Sequence, residues 1–255
     1  MNKVTRLKYY IESLCIYDFE DDDVFTALYD LLCDDEEDTV ALQSYFFKEL
    51  AKSESLKRHI SRLILTNDNI FTKAACAGKV NELSIAVINA VKSDLAKLEE
   101  IASLTAQDIL ADIDDEDIKE ILLTLPGWDV GKPLAPLDSH WDRQLDELIK
   151  YHRENGYGIY AKNIAFTWRD EEITPVNSID PIRLTDLKNY ELQRNKVIDN
   201  TESFIAGHPA NNVLLYGDRG TGKSSTVHAI LNEYWQKGLR MIEIPKSAVA
   251  DLSLI

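Results

Sequence analysis

Eight residues in the last quarter of this 255-residue chain, Gly217-Asp218-Arg219-Gly220-Thr221-Gly222-Lys223-Ser224, match the pattern G-x-x-x-x-G-K-[ST]. The match limits the fold sharply, because the pattern carries meaning only between a strand and a helix. With glycine near 7% of average composition, a chain of this length matches by accident on the order of once in a hundred. Both flanks read as the pattern requires. Asn212–Tyr216 (NVLLY) is a short apolar run that ends at Gly217, as a buried parallel strand does. After the loop, Val227, Ile230, Leu231 and Tyr234 recur at helical spacing, Lys237 falls in the last turn, and Gly238 supplies a left-handed cap. Leu239–Ile244 (LRMIEI) reads as a second strand, ended by Pro245. The expectation is a strand–loop–helix–strand unit with a right-handed crossover.

The residue types dictate a chemistry. Gly217, Gly220 and Gly222 let the backbone turn tightly, so that successive amides form a nest of donors for phosphate oxygens. The N-terminus of the following helix adds partial positive charge. Lys223 is placed to reach the outer phosphates of a nucleotide, and the Ser224 hydroxyl to ligate Mg²⁺. Asp218, Arg219, Thr221 and Ser225 complete the candidate phosphate-binding set; repulsion from phosphate turns the Asp218 side chain outward.

The remainder of the chain is acidic. Of the net charge of −16, −15 falls in residues 1–150 and −1 in residues 151–255. Asp18–Asp38 holds eleven acids and no Lys or Arg, so a phosphate backbone is repelled there and nucleic-acid binding by residues 1–150 is disfavoured. Such a face either meets a basic partner or simply keeps the chain dissolved, the commoner role. Two acidic clusters have the outline of calcium loops, but Asp117 and Asp23 stand where the turn needs glycine, and Leu123 and Tyr29 where a bidentate glutamate is required. Acids at helix N-termini explain both clusters better. His59, His140, His152, His208 and His228 show no metal-ligand spacing. Cys15, Cys33 and Cys76, far apart and on predicted helices, read as small core residues in a reducing compartment, with the cytoplasm as default. No apolar run of eighteen residues occurs.

Four regions follow. Residues 1–125 read as an all-α domain of about six to eight helices. Its apolar faces are Leu7/Tyr10/Ile11/Leu14/Cys15, Leu42/Tyr45/Phe46/Leu50, Leu56/Ile60/Leu63/Ile64 and Leu83/Ala86/Val87/Ala90/Val91. Polar breaks at Asp34–Asp38, Ser53 and Thr66–Asp68 supply caps and turns. Residues 126–140, rich in Pro and Gly, read as a linker. Residues 141–180 hold a short helix, Trp141–His152, and a small β element that pairs Gly156–Ala161 with Phe166–Trp168. Residues 181–255 begin an α/β domain, in which Asp186 caps a long helix through Tyr190, Val197 and Phe204 that Gly207-His208-Pro209 ends. The fold class is multidomain, α followed by α/β.

The stretch from Ile182 to Leu252 resembles the AAA+ ATPases, and in particular a bacterial AAA+-type family catalogued only as a domain of unknown function, unknown-function family 815. Asp186-Leu187, Tyr190-Glu191-x-Gln193-Arg194, Asn200-Thr201-x-x-Phe204, Pro209–Gly217, Arg219–Ser225 and Gly238-Leu239-Arg240 carry the resemblance. It implies the start of a P-loop NTPase domain that uses ATP and Mg²⁺. It also offers Ile182–Leu187 as the segment that contacts the base, against the plainer reading of Ile182 and Leu187 as core residues. The family pattern further demands acidic Walker B residues, a sensor, an arginine finger and a helical lid beyond the second strand. Glu243 and Asp251 do not end an apolar strand and so do not supply the Walker B acid. The expectation is a chain truncated shortly after its Walker A unit, which binds ATP and hydrolyses it poorly or not at all. The intact form would be an ATPase that remodels a protein or nucleoprotein partner. The alternative is a non-hydrolysing nucleotide-binding module whose acidic helical domain docks a protein. A small-molecule kinase would need a substrate-binding cluster and a lid after the second strand, and neither is read. AAA+ proteins often form rings, and catalysis in a ring would depend on the arginine finger.

Overall fold

The computed structural model describes residues 1–34, 38–53 and 55–254. It divides into two compact units, Met1–Arg153 and Glu154–Ile255.

The first unit is helical: α1 (Lys3–Glu12), α2 (Asp23–Cys33), α3 (Thr39–Leu50), α4 (Leu56–Leu65), α5 (Ile70–Cys76), α6 (Ile85–Ile101), α7 (Ala106–Leu110), α8 (Glu116–Leu122) and most of α9 (Leu145–Asn155). Polar side chains start these helices by accepting otherwise unpaired amides. Asn2 accepts from Thr5 N–H, Asp22 from Phe25, Asn69 from Phe71 and Thr72, Ser84 from Val87, and Thr105 from Asp108. The acids that outline false calcium loops act here too. Asp22 caps α2, and Asp115 caps α8 through the amides of Asp117 and Ile118. Of the acidic break Asp34–Asp38, residues 35–37 lie outside the described residues.

One apolar cluster fills this unit, from Leu7, Leu28, Phe46 and Leu56 to Ile60, Phe71, Leu95, Leu98 and Trp141. The expected faces of α1, α3 and α4 point into it, although Tyr45 is about half exposed. Two expectations need correction. The buried face of α6 is Val91/Asp94/Leu95/Leu98/Ile101, one or two turns beyond the predicted one, and Ile85 and Ala86 are exposed because the first turns of α6 project from the core. The cysteines are not core residues: Cys15, in the turn after α1, and Cys76, at the last position of α5, are exposed, and Cys33 is half-buried.

Residues 126–140, expected as a linker, are bonded into this unit. Leu56 and Lys57 amides donate to the carbonyls of Asp129 and Val130 (3.0 and 2.9 Å), and Leu134 N–H donates to Ser61 Oγ (2.8 Å). Trp128 Nε1 donates to Leu104 O, and its ring stands edge-on to Phe46 at 4.8 Å. A buried carboxylate organises the other end. Asp94 Oδ2 accepts the amides of Cys15, Ile16 and Tyr17 at 2.9, 2.7 and 3.3 Å, fixing the turn after α1 against α6. Beside it the fully buried Tyr17 phenol is pushed far up from its ordinary value, by burial first and by the Asp94 charge second.

The second unit is built on a three-stranded sheet of order β2-β1-β3, from β1 (Ala165–Arg169), β2 (Glu172–Pro175) and β3 (Met241–Glu243). β1 and β2 form an antiparallel hairpin, Trp168 opposite Ile173, whose two turn residues Asp170 and Glu171 both take positive φ (50° and 63°). That is the backbone of the tight turns that match strand twist. β3 pairs parallel to β1, Phe166 opposite Ile242. The expected β pairing of Gly156–Ala161 is replaced by α10 (Gly158–Lys162), where the rings of the N-cap Tyr157 and of Tyr160 meet edge to face at 5.7 Å and Tyr160 packs on Phe166.

α11 spans Glu191–Ile205 and α12 Lys223–Tyr234. The predicted start of α11 at Asp186 is too early. That carboxylate instead accepts Arg183 N–H (2.8 Å) over a 3-10 turn, and left-handed Asn189 and Tyr190 (φ 65° and 57°) separate the turn from the helix. Its end is as read, with Gly207 at φ 73°. Leu239–Ile244 contains β3 as expected, and Gly238 (φ 92°) caps the turn before it.

Asn212–Tyr216 does not form the expected strand. Among the described residues no strand pairs with it, and Leu214 and Tyr216 are 82% and 88% exposed. An apolar run of this kind gains nothing from strand geometry unless neighbours cover its faces and edges. The observed β1 partner of β3 comes from the hairpin instead. A cleft of about 500 Å³, lined by Val197, Phe204, Val213, Val227, Ile230 and Met241 among others, opens between α11, residues 210–213, α12 and β3.

Candidate functional site

The candidate site is the turn that leads into α12. Gly217, Gly220 and Gly222 take φ values of 135°, 82° and 82°, in the region where a Cβ is strained, and Gly222 is the left-handed N-cap of α12. Around Gly220 and Gly222 a Cβ would meet nothing within 4 Å, so these glycines are explained by backbone conformation rather than by crowding. No side chain caps the helix. The amides of Arg219, Gly220, Thr221, Gly222, Lys223 and Ser224 find no acceptor among the described residues, which leaves a row of donors at a helix N-terminus.

Lys223 closes the turn from inside. Its Nζ donates to the carbonyls of Gly217 (2.9 Å) and Asp218 (2.6 Å) and lies 3.3 Å from Thr221 Oγ1. The side chain lies half-buried over its own loop. Thr221 Oγ1 donates to Asp218 O (2.9 Å), and Thr226 Oγ1 donates back to Gly222 O (2.8 Å), tying the loop to the first turn of α12. Asp218, Arg219 and Ser224 are exposed and Ser225 half-buried. All nine predicted site residues thus lie on one turn and the helix start that follows it.

Three further contacts position the site. Asn232, on α12, donates from Nδ2 to the carbonyls of Asp180 (2.8 Å) and Ile182 (2.9 Å), while Arg183 donates to Asn232 O (3.3 Å). Ile182–Leu187 is therefore held against α12, the helix that the glycine turn begins. Tyr234 O–H donates to Glu202 Oε1 (2.8 Å), linking α12 to α11; burial first, then the Glu202 carboxylate, pushes this phenol up to about 12. Arg240 gathers the carbonyls of Asn155, Tyr160, Trp235 and Leu239 at 2.7–3.0 Å. Of the acids set aside above, Asp251 accepts Trp168 Nε1–H at 3.1 Å and Glu243 lies exposed on β3.

Sequence reasoning missed the part played by Asn200. On α11, its Nδ2 donates to Asn211 O and its Oδ1 accepts Asn211 N–H, both at 2.8 Å. A signal existed: asparagine is a poor residue for a helix interior, so one placed there calls for a partner.

Comparison with known proteins places a family similarity on the C-terminal region of the chain. Residues 161–255 match the family described as "Protein of unknown function (DUF815)". The replication factor C large subunit of Staphylothermus marinus is 37% identical over 68 residues. Those residues are 26% of this chain and span 15% of that protein's length. No solved structure matches the chain. The two similarities support a relationship to an AAA+-like family of unknown function. No helix among the described residues is long and apolar enough to cross a membrane.

Proposed function

We propose that the unit Glu154–Ile255 binds a nucleoside triphosphate with Mg²⁺ at Gly217–Ser225, ATP being the nucleotide by AAA+ resemblance. The observation that carries this reading is the row of amides without acceptors at the head of α12, with the Lys223 ammonium already folded over it. Three glycines at positive φ shape the turn that carries the row. Such a donor set favours an anionic acceptor such as phosphate, because amides and an ammonium supply positive potential. Lys223 would exchange its bonds to Gly217 O and Asp218 O for phosphate oxygens. The exposed Ser224 hydroxyl, on the first turn of α12, would hold Mg²⁺. That ion would neutralise phosphate charge. Ile182–Leu187, fixed to α12 by Asn232, is the segment we assign to the base.

For the whole protein we propose an AAA+-type ATPase that remodels a protein or nucleoprotein partner, with the acidic helical unit as its adaptor. A second reading, a nucleotide-binding module without turnover, is favoured by one specific observation. The Asp251 carboxylate is engaged by Trp168 rather than presented to the glycine turn. Calorimetric titration of MgATP into the chain and into Lys223→Ala tests the site. We expect binding that the substitution weakens at least about a hundredfold, the range for losing charge-assisted bonds to phosphate. Equal affinities would refute the assignment. Phosphate release by the same samples separates the readings, since turnover that Lys223→Ala abolishes favours the ATPase and binding without turnover favours the module.

A further inference from the structure

The chain that enters the glycine turn is held in an unusual way. From Pro209 to Tyr216 it is extended or irregular, exposed at most positions, and outside the sheet. Among the described residues, the bonds that hold its main chain are the two from the Asn200 carboxamide. They engage the N–H and the C=O of the same residue, Asn211, as the facing residue of an antiparallel strand would. A side-chain amide can do this because it carries a donor and an acceptor side by side. Asn200 is itself fixed on α11, and Glu202 of the same helix receives the Tyr234 hydroxyl of α12. Two anchored points therefore bracket the glycine turn: Asn211 six residues before Gly217, and α12 after it.

We propose that Asn200 is the positioning residue of the phosphate-binding turn. It stands in for a strand neighbour, sets where the chain leaves for Gly217, and so holds the loop Arg219–Ser224 in the shape that would meet phosphate. Through this bond α11 governs the affinity of the site. The proposal rests on the nucleotide reading given above. It asks for Asn and nothing else at position 200: Asp keeps the acceptor for Asn211 N–H and loses the donor, Leu keeps the volume and loses both, and Gln places the amide one carbon too far along.

The test uses the full chain with Asn200→Leu, Asn200→Asp and Lys223→Ala. MgATP affinity is read by calorimetry, global stability by thermal unfolding, and local order by amide hydrogen exchange without nucleotide. We expect Asn200→Leu to weaken MgATP about tenfold, the scale of two neutral hydrogen bonds lost from a preorganised site. Exchange should speed up over residues 209–222 and stay parental in β1 and the helical unit. Should Asn200→Leu not fold, Asn200→Asp is read instead, with the same localised exchange and a smaller loss of affinity. Parental affinity in the variant that folds, or faster exchange spread evenly over Glu154–Ile255, overturns the proposal, the second result marking a merely structural bond. Lys223→Ala separates the two claims. If it loses MgATP while the Asn200 variants do not, positioning by Asn200 fails and the site stands; if the parent binds no MgATP, both fall.

Discussion

The two units of this chain hold themselves together by different means. In Met1–Arg153 the large apolar cluster is continuous, and its long helices each bury a stripe into it. In Glu154–Ile255 the buried apolar side chains among the described residues are Ala165, Phe166, Trp168, Ala229, Ile230, Leu231 and Tyr234. α11 runs for fifteen residues without burying one of them. What organises that unit is a set of side-chain to main-chain bonds from Asn200, Asn232 and Arg240. Burial is non-directional and cumulative, whereas such bonds add only about 0.5–1.5 kcal/mol each but fix position closely. The helical unit is thus built for stability. The second holds its loop in place by a few directional bonds.

The largest expected effect breaks this contrast at its strongest point. Trp141 is fully buried in the helical core, with its main-chain N–H on Glu99. Trp141→Ala should cost about 3–5 kcal/mol of helical-unit stability, as other buried aromatic truncations do. Urea unfolding followed by far-ultraviolet circular dichroism measures it, and a loss under 1 kcal/mol would show the core to be loose. Ligand addition probes the other side. At a hundred times its dissociation constant, MgATP should stabilise Glu154–Ile255 by about 2.7 kcal/mol. Amide exchange resolves the units, and the protection should be confined to the second; protection spread equally over both would remove the distinction. Asp94→Asn comes next. It weakens the acceptor of three amides and should cost the helical unit about 1–3 kcal/mol. The exchange of Cys15–Tyr17 amides would rise first.

The same contrast explains what was legible in the sequence. Helices that bury a stripe announce it by periodicity, and α1, α3 and α4 lie where their apolar spacing puts them. The two acidic clusters were readable as helix starts because a cap is a local event between residues two or three apart; the structure supplies the caps themselves, Asp22 and Asp115. The glycine turn was readable for the same reason: three glycines and a helix start determine it almost alone. Failures came wherever the answer depended on a distant partner. The strand expected at Asn212–Tyr216 needs neighbours in a sheet, and an apolar run cannot say which strand β3 will choose. β1 took β3, and β2 took the place assigned to Gly156–Ala161. The exposure of Cys15 follows from Asp94, seventy-nine residues away, which draws the turn after α1 onto α6 by its backbone. The Pro/Gly segment 126–140 has the composition of a linker, yet Ser61 and the free amides at the start of α4 make it part of the helical unit.

The smallest effect expected is one of pH, and it concerns the charges at the helix starts. Partial burial works against ionisation of Asp108, but Lys3 Nζ at 2.7 Å and the Thr105 hydroxyl and amide outweigh it and hold the carboxyl below its ordinary value of 3.8. At Asp22, burial is likewise outweighed by the His59 ring and the Phe25 amide, and the carboxyl is lowered. A carboxyl depressed in the folded state binds its proton more weakly there than in the unfolded chain. The stabilisation it gives is therefore complete above the ordinary aspartate value and is lost as pH falls through the depressed ones. Both groups are partly solvated, so the loss should be modest. It is expected below about pH 4, where unpaired aspartates begin to protonate. Urea midpoints of the helical unit at pH 6 and pH 3 should show it, and Asp108→Asn should shrink the difference while leaving the His59–Asp22 part in place. A midpoint difference unchanged by Asp108→Asn would mean that the Lys3–Asp108 pair adds nothing to the joint between α1 and α7, which would then rest on burial and on the neighbouring bonds of Asn2 and Lys3 to Asp112 and Ser103.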